Sequence, residues 1–496
     1  MRHALCFSAL LWLPAAAAGA CGPDEGLLHP DLTLSASATA SGGTFAPLWL
    51  TANRHGLGSV RPTSGMLRAT LERQPDADST RRWQLAYGLD VAVTAGHERT
   101  FVPQQYYVAA RRGLFTLTLG ARQQHLVTQD DRLAGGAMSL GINARPLPQA
   151  RLDIDWFAIP GTRGWWHWRM HGSYGLFTDG AWQRQWGSRW RYATGTLYHE
   201  KALYWRIGRE DRLPLTYEIG LRMATQFGGT SYNIFTDRNP QTTYRHATGP
   251  DAFVDALLCR GSDATDGSDP NTAGNHLGSY VMQLKWQAPA WQARVYWERY
   301  FDDQSMLTVQ YGIRDMLLGG EVTLPRNSYV SKVVVEWLTT RDQTGAVYHD
   351  ATPSMPDKMN GRDDYYNHLL YAGWEHYGQT LGHPFLTSVL YNDVLDASHM
   401  LHFRNTRVRA LHVGLAGQPT AEIEWRALMS LTRNWGTYER PLLPDPRRQA
   451  YLFGEATYSP ASARGWQFTL GVGVDRGRLL GNSTGAQLTI ARRLHL

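Results

Sequence analysis

Along most of this chain apolar and polar residues alternate with a period of two, in runs about as long as a strand that crosses a bilayer. Between Trp466 and Asp475 one face carries Trp466, Phe468, Leu470, Val472 and Val474, and the other carries Gln467, Thr469, Gly471, Gly473 and Asp475. Between Trp83 and Thr94 the same period sets Trp83, Leu85, Tyr87, Leu89, Val91 and Val93 against Gln84, Ala86, Gly88, Asp90, Ala92 and Thr94. One face suits lipid and the other tolerates water. The pattern predicts an all-β fold, a transmembrane antiparallel β-barrel of the outer membrane, since no stretch beyond the first residues is apolar enough to span as a helix.

Runs of this kind, separated by turns of Gly, Pro, Asp and Asn, number about 18. They begin at 65–74, end at 486–496, and include 137–143, 306–312 and 386–391. The stretch 32–40 alternates weakly, and 44–65 is too broken by Gly and Pro for a lipid-facing strand. An even count places both termini in the periplasm, and Leu488, Ile490, Arg492, Leu494 and Leu496 alternate to the last residue, as expected of a barrel-closing strand. Two long insertions interrupt the rhythm, near 227–275, with a helical piece at 253–258, and near 342–386, dense in Tyr, His, Asp and Gly. Insertions of this length act as lids, plugs or binding surfaces.

Composition fits the pattern. A barrel absorbs the 496 residues in one unit, and 49 Gly, 24 Tyr and 19 Trp supply turns and two interfacial aromatic girdles. A mean hydropathy of −0.39 excludes a helical membrane protein but not a barrel with a polar lumen. The net charge of +6 is mild and its basic residues are scattered, which argues against a nucleic-acid surface. Arg2 and His3, an apolar run from Ala4 to Leu13, and Ala18-Gly19-Ala20 read as a signal peptide over 1–20, leaving 21–496 as a single barrel domain. Cleavage there exposes Cys21, the position at which lipoproteins are acylated, although Ala18 stands where such signals place Leu. Cys21 and Cys259 alone give no disulfide framework.

Catalytic and metal motifs are weak. Gly481-Asn482-Ser483-Thr484-Gly485 matches G-x-S-x-G, but the elbow requires a helix after it and the closing strand follows here. His167 and His171 share a strand face with Arg169, a poor neighbour for a metal dication. Asp263, Asp266 and Asp269 lack the EF-hand pattern and read as a solvated loop. No catalytic residue, metal or cofactor is assigned.

Several distinctive phrases run in order across nearly the whole mature chain. They include Pro47-Leu48-Trp49-Leu50-Thr51-Ala52-Asn53-Arg54-His55-Gly56-Leu57, Gly65-Met66-Leu67-Arg68-Ala69 and Pro160-Gly161-Thr162-Arg163-Gly164. Further on come Tyr296-Trp297-Glu298-Arg299-Tyr300-Phe301-Asp302-Asp303 and Thr339-Thr340-Arg341-Asp342-Gln343-Thr344-Gly345. The most specific is Asp364-Tyr365-Tyr366-Asn367-His368, continuing through Gly373-Trp374 and Tyr377-Gly378 to Gly382-His383-Pro384-Phe385. In these phrases the chain resembles the Wzi-type capsule assembly family, in its Bacteroidetes form. Leu48 and Ala346 depart from the family pattern, where Phe and Pro are expected. The resemblance implies a barrel of about eighteen strands with an occluded lumen, a non-enzymatic, lectin-like anchor for exported capsular polysaccharide.

Sugars bind on aromatic faces with their hydroxyls held by carboxylates and amides. The densest such set is Asp363, Asp364, Tyr365, Tyr366, Asn367, His368, Trp374 and His376, which is expected to be either a polysaccharide platform or the plug that supports one; Gly373, Gly378 and Gly382 point to tight packing. The sequence therefore predicts a monomeric outer-membrane protein whose partners are surface polysaccharide and lipid. Two rivals stand beside it: a porin for small solutes, if the lumen is open, and a secreted all-β glycan-active enzyme. On one mutational point the alternation is explicit, for Val472→Arg is expected to be costly in lipid and Gly473→Ser mild.

Overall fold

In the computed structural model the residues described are 30–74, 83–234, 242–259, 274–302, 314–346 and 360–496. The expected leader, Cys21, the residues Asp263, Asp266 and Asp269, and the strand expected at 306–312 lie outside them. Eighteen strands form one antiparallel sheet. In chain order they are β1 (Asp31–Gly42), β2 (Thr63–Arg73), β3 (Gln84–Ala95), β4 (Phe101–Arg112), β5 (Phe115–Ala121), β6 (Pro148–Ala158), β7 (Trp166–Leu176), β8 (Leu197–Ile207) and β9 (Leu215–Phe227). The second half adds β10 (Asn275–Gln287), β11 (Gln292–Phe301), β12 (Met316–Thr323), β13 (Lys332–Thr339), β14 (Val408–Gly417), β15 (Ile423–Asn434), β16 (Arg447–Tyr458), β17 (Trp466–Gly477) and β18 (Ser483–His495). Each strand pairs with the next, and β18 returns to β1 in a register from Asp31↔His495 to Gly42↔Thr484, so the sheet closes and has no edge.

The alternation resolves into an outer and an inner face. On β17 Phe468, Leu470 and Val472 are 38%, 52% and 44% exposed, whereas Gly471, Gly473 and Asp475 are buried toward the lumen. On β3 Leu89 and Val93 point out, and Ala86, Asp90, Ala92 and Thr94 point in. Outward apolar residues on every side, Leu67, Leu152, Val295, Val335 and Leu452 among them, form a belt that only lipid can cover. Trp83, Trp166, Trp291, Tyr458 and Trp466 cluster at strand ends on one rim, as an interfacial girdle requires. No helix among the described residues is long and apolar enough to cross a membrane. The strands cross it, and the protein belongs in the outer membrane.

The two rims differ. On the girdle rim, which also holds both ends of the sheet, the connections run from 113–114 to, at the longest, 74–83. The opposite rim carries 43–62, 122–147, 177–196, 228–274 and 340–407. Three of these, 43–62, 122–147 and most of 364–406, fold into the lumen and share one buried core with the wall. In the first, helix α1 (Leu48–Thr51) sets Trp49 against Phe385 and His412, with ring centroids at 5.8 and 5.1 Å. Inward carboxylates hold the backbone of the filling. Glu336 Oε2 accepts from Gly135 N at 2.6 Å, Glu298 Oε2 from Met138 N at 2.9 Å, and Asp475 Oδ2 from Leu48 N at 2.8 Å. Two wall glycines admit it: a Cβ on Gly473 would stand 2.6 Å from Pro47 Cβ, and one on Gly414 2.3 Å from the Leu133 carbonyl oxygen.

Four sequence expectations need correction. The stretches expected as strands at 137–143 and 386–391 lie inside the lumen without strand structure, buried on all sides. Both are buried within the filling and pair with no strand of the wall, so the local pattern there does not mark a strand. Met316–Thr323, not assigned from sequence, is strand β12, and the weakly alternating 32–40 lies within β1. Helix α2 (Gly180–Gly187) lies in the β7–β8 connection. The helix expected near 253–258 is α3 (Pro250–Leu258), packed on the outer wall, where Tyr174 Oη donates to the Phe253 carbonyl at 2.8 Å.

Candidate functional site

The eight residues singled out from sequence lie in one stretch, and the structure distributes them through the filling. Tyr365 Oη donates to Asp315 Oδ2 at 3.0 Å, and its ring meets Tyr300 at 4.6 Å. Tyr366 Oη donates to the Met138 carbonyl and accepts from His383 N at 3.1 Å, tying 364–406 to 122–147. Asn367 clamps Phe403, accepting from its N–H at 2.8 Å and donating to its carbonyl at 3.0 Å. His368 is half-buried, and its Nδ1 accepts from the backbone of Leu370 and Tyr371 at 3.0 and 3.3 Å, an acceptor role open only to a neutral ring. Burial lowers its pKa to about 3. Trp374 is fully buried, and His376 bridges the Arg145 carbonyl at 3.1 Å and Thr178 Oγ1 at 3.0 Å. Asp363 and Asp364 are half-buried nearer the surface, with His402 Nε2 3.4 Å from Asp364 Oδ2. Tyr365, Tyr366, Asn367, Trp374 and His376 are thus internal.

What the mouth of the long-connection rim offers is a different set of aromatics. Trp182 and Trp186 on α2 stack with centroids 5.3 Å apart, and His399 meets Trp186 at 5.2 Å. Trp190, just beyond the helix, is exposed, while Tyr192 and Tyr232 stack at 4.9 Å and are half-exposed. Tyr377 is half-exposed too, with its Oη donating to the Thr178 carbonyl at 3.0 Å. Trp186, Trp190, Tyr192, Tyr232 and Tyr377 make a ledge along the mouth over the buried Trp182, with hydrogen-bonding groups of Arg189, Arg99 and Glu98 beside it. The sequence signal for it was Trp182, Trp186 and Trp190, an aromatic at every fourth position of a Gly-bounded segment.

The ledge rests on a buried carboxyl pair. Glu375 Oε1 accepts from Gln183 Nε2 at 2.8 Å, and Asp179 Oδ2 accepts from Gln183 Nε2 and Tyr377 N, each at 3.1 Å. Burial, reinforced by the Asp179 carboxylate, raises Glu375 well above the usual carboxylate range. Below Tyr377 a narrow recess of about 10 Å³ is lined by Ser59, His97, Glu98 and Arg145. Ser59 and His97 also line a polar cavity of about 280 Å³ between the filling and the β1–β2–β18 wall, where Ser35, Ser37, Thr39 and Gln487 present hydroxyls and an amide. Burial lowers His97 to about 4, so it is uncharged at neutral pH.

Among the described residues Asp364, His402 and Glu439 bring ligand atoms within 4.8 Å of one another and could hold a metal ion. Arg191 and Arg404 lie close to the same carboxylates and balance them, which weakens the case for a dication. Ser483 opens β18 and donates to the Phe45 carbonyl at 2.6 Å, so the G-x-S-x-G segment is a strand start.

No protein-family model matches the sequence, and no curated protein matches it. Among solved structures the chain is similar to Wzi of Escherichia coli, described as an outer-membrane protein involved in group 1 capsule assembly and a carbohydrate-binding β-barrel. That similarity has 13% identity and a TM-score of 0.56, covering 93% of this chain and 85% of that one. It is also similar to OccK5 (OpdH) of Pseudomonas aeruginosa, at 9% identity and a TM-score of 0.47, covering 94% and 98%. A BenF-like porin of Pseudomonas fluorescens gives the same four values. At these identities the likeness concerns the fold.

Proposed function

We propose that this protein is a non-enzymatic component of surface-polysaccharide assembly that holds exported polysaccharide at the outer face of the outer membrane. The observation that carries the proposal is the combination of a lumen filled by its own connections with an aromatic ledge on the rim of long connections. In bacterial barrels the short turns are periplasmic and the long loops extracellular, which puts the ledge outside the cell. A filled lumen removes the free path a porin needs, and rings flanked by arginines, a carboxylate and hydroxyls are the groups that hold sugars. The carbohydrate-binding description of the Escherichia coli barrel agrees with this reading. The buried set Tyr365, Tyr366, Asn367, Trp374 and His376 acts in it as the support of the ledge, not as the contact surface.

The test is binding of the purified, detergent-solubilised barrel to the polysaccharide of its own cell surface, by pull-down and on a glycan array. Binding that Trp190→Ala abolishes supports the proposal. Large, steady single-channel conductance in planar bilayers, with no glycan bound, would replace it with the porin.

A further inference from the structure

Arg145 is the anomaly at the mouth. It is 7% exposed, its guanidinium lies 4.4 Å from the centre of the Tyr377 ring, and it forms no ion pair and no side-chain hydrogen bond among the described residues. A buried guanidinium ordinarily has a carboxylate or several carbonyl oxygens around its fork of donors. The nearest acid on the recess, Glu98, is engaged elsewhere, accepting from Trp182 Nε1 at 3.4 Å and lying 3.7 Å from Arg61. Arg99 adds a second cation on Tyr377, at 5.6 Å. On the lining of the recess Arg145 is the one cation and Glu98 the one carboxylate, with His97 neutral; Arg99 over Tyr377 and Arg61 beside Glu98 add positive charge around it, and the Asp179 carboxylate is the further acid within reach of Arg145. The recess itself admits one water-sized group, the size of a single oxygen of a carboxylate or phosphate.

We propose that Arg145 is the floor of an oxyanion subsite, which takes one oxygen of a carboxylate or phosphate carried by a sugar whose ring lies on the ledge beside Tyr377. The site is new to the reading above and rests on it only for the source of the anion, a charged substituent of the polysaccharide. Charge and geometry agree. The guanidinium is largely buried and held over Tyr377, so an arriving oxyanion meets a preorganised donor at little ordering cost. The polymer remains outside while one oxygen enters.

The experiment measures binding of three probes to the full-length barrel in detergent by calorimetry: hexagalacturonate, neutral maltohexaose and inorganic phosphate. The expected result is binding of hexagalacturonate at least tenfold tighter than maltohexaose, lost at least tenfold in Arg145→Met, with the unfolding temperature unchanged or raised because an unpaired buried charge has gone. Glu98→Gln, which removes the opposing charge, is expected to tighten the same binding severalfold, and it decides the matter should Arg145→Met not fold. Equal binding of the charged and neutral oligomers, unaltered binding in Arg145→Met, or failure of wild type to bind either anion overturns the subsite. Phosphate binding that needs Arg145 while both oligomers fail keeps the subsite, makes a free anion its ligand and overturns the polysaccharide as source. Native polysaccharide that binds irrespective of Arg145 leaves the proposed function standing and removes the subsite.

Discussion

The backbone N–H of Leu48 donates to Oδ2 of Asp475 at 2.8 Å, joining the start of α1 to the inward face of β17. The bond spans almost the whole sequence and pins the first filling segment to the last hairpin. Asp475→Ala leaves a buried N–H without its acceptor, and is expected to cost about 1–3 kcal/mol and lower the temperature at which the electrophoretic mobility shifts on heating. Asp475→Asn keeps an acceptor and should lie much closer to wild type. Equal behaviour of the two would show that the bond does not hold the segment.

Val472 and Gly473 are neighbours with opposite surroundings. Val472→Arg faces lipid and is expected to cost about 2–4 kcal/mol if it sits near the bilayer midplane. Gly473→Ser, expected from alternation alone to be mild, now carries a clash, since a Cβ there meets Pro47 Cβ at 2.6 Å. Overpacking of this kind costs about 1–3 kcal/mol. Denaturant unfolding of both variants in lipid vesicles checks the pair, and a harmless serine would mean that 43–62 stands off the wall.

Trp374 and Trp190 separate support from contact. Trp374 is fully buried, so Trp374→Ala is expected to cost about 3–5 kcal/mol and to raise ion leakage through planar bilayers. Trp190, on the ledge, is 36% exposed, and its alanine variant is expected to unfold within about 0.5 kcal/mol of wild type while losing polysaccharide retention. The reverse outcome would exchange their roles.

Asp315 gives the fold a dependence on pH. Burial raises its carboxyl to about 6 from 3.8, while Tyr365 Oη and Asp342 N donate to it. The folded state holds the proton more tightly than the unfolded chain, so this contribution is complete below about pH 3.8 and is lost as pH rises through about 6. Relative to wild type, Asp315→Asn should therefore gain stability between pH 4 and pH 7.5, on the order of 2–3 kcal/mol. Parallel pH profiles of unfolding for the two proteins would contradict it.

Where lipid dictates the pattern, the sequence is easily read: β3, β7 and β17 alternate because one face must be apolar. β1 was faint because its lumen face is Ser35, Ser37 and Thr39 and its outer face includes Ala36 and Ala38, so the contrast is low. β12 hid behind Gly319 and Gly320, the first of which makes room for the ring of Tyr296. The segments 137–143 and 386–391 misled for the opposite reason, because a filled lumen imposes burial without pairing. The aromatic cluster at 363–376 was found, but its internal position depends on contacts to Asp315, Met138 and Phe403 that no local pattern encodes. Arg145 was invisible among the arginines, since its lack of a partner is a property of tertiary surroundings alone.

A lumen filled by three connections has a mechanical consequence. Each filling segment is tethered at both ends to neighbouring strands, and none has a free end that could be withdrawn. The barrel cannot eject its contents as a separate plug domain would. Opening a passage requires peeling a loop off the wall while its two strands stay paired, so gain of conductance and loss of the Leu48–Asp475, Met138–Glu298 and Gly135–Glu336 bonds must occur together.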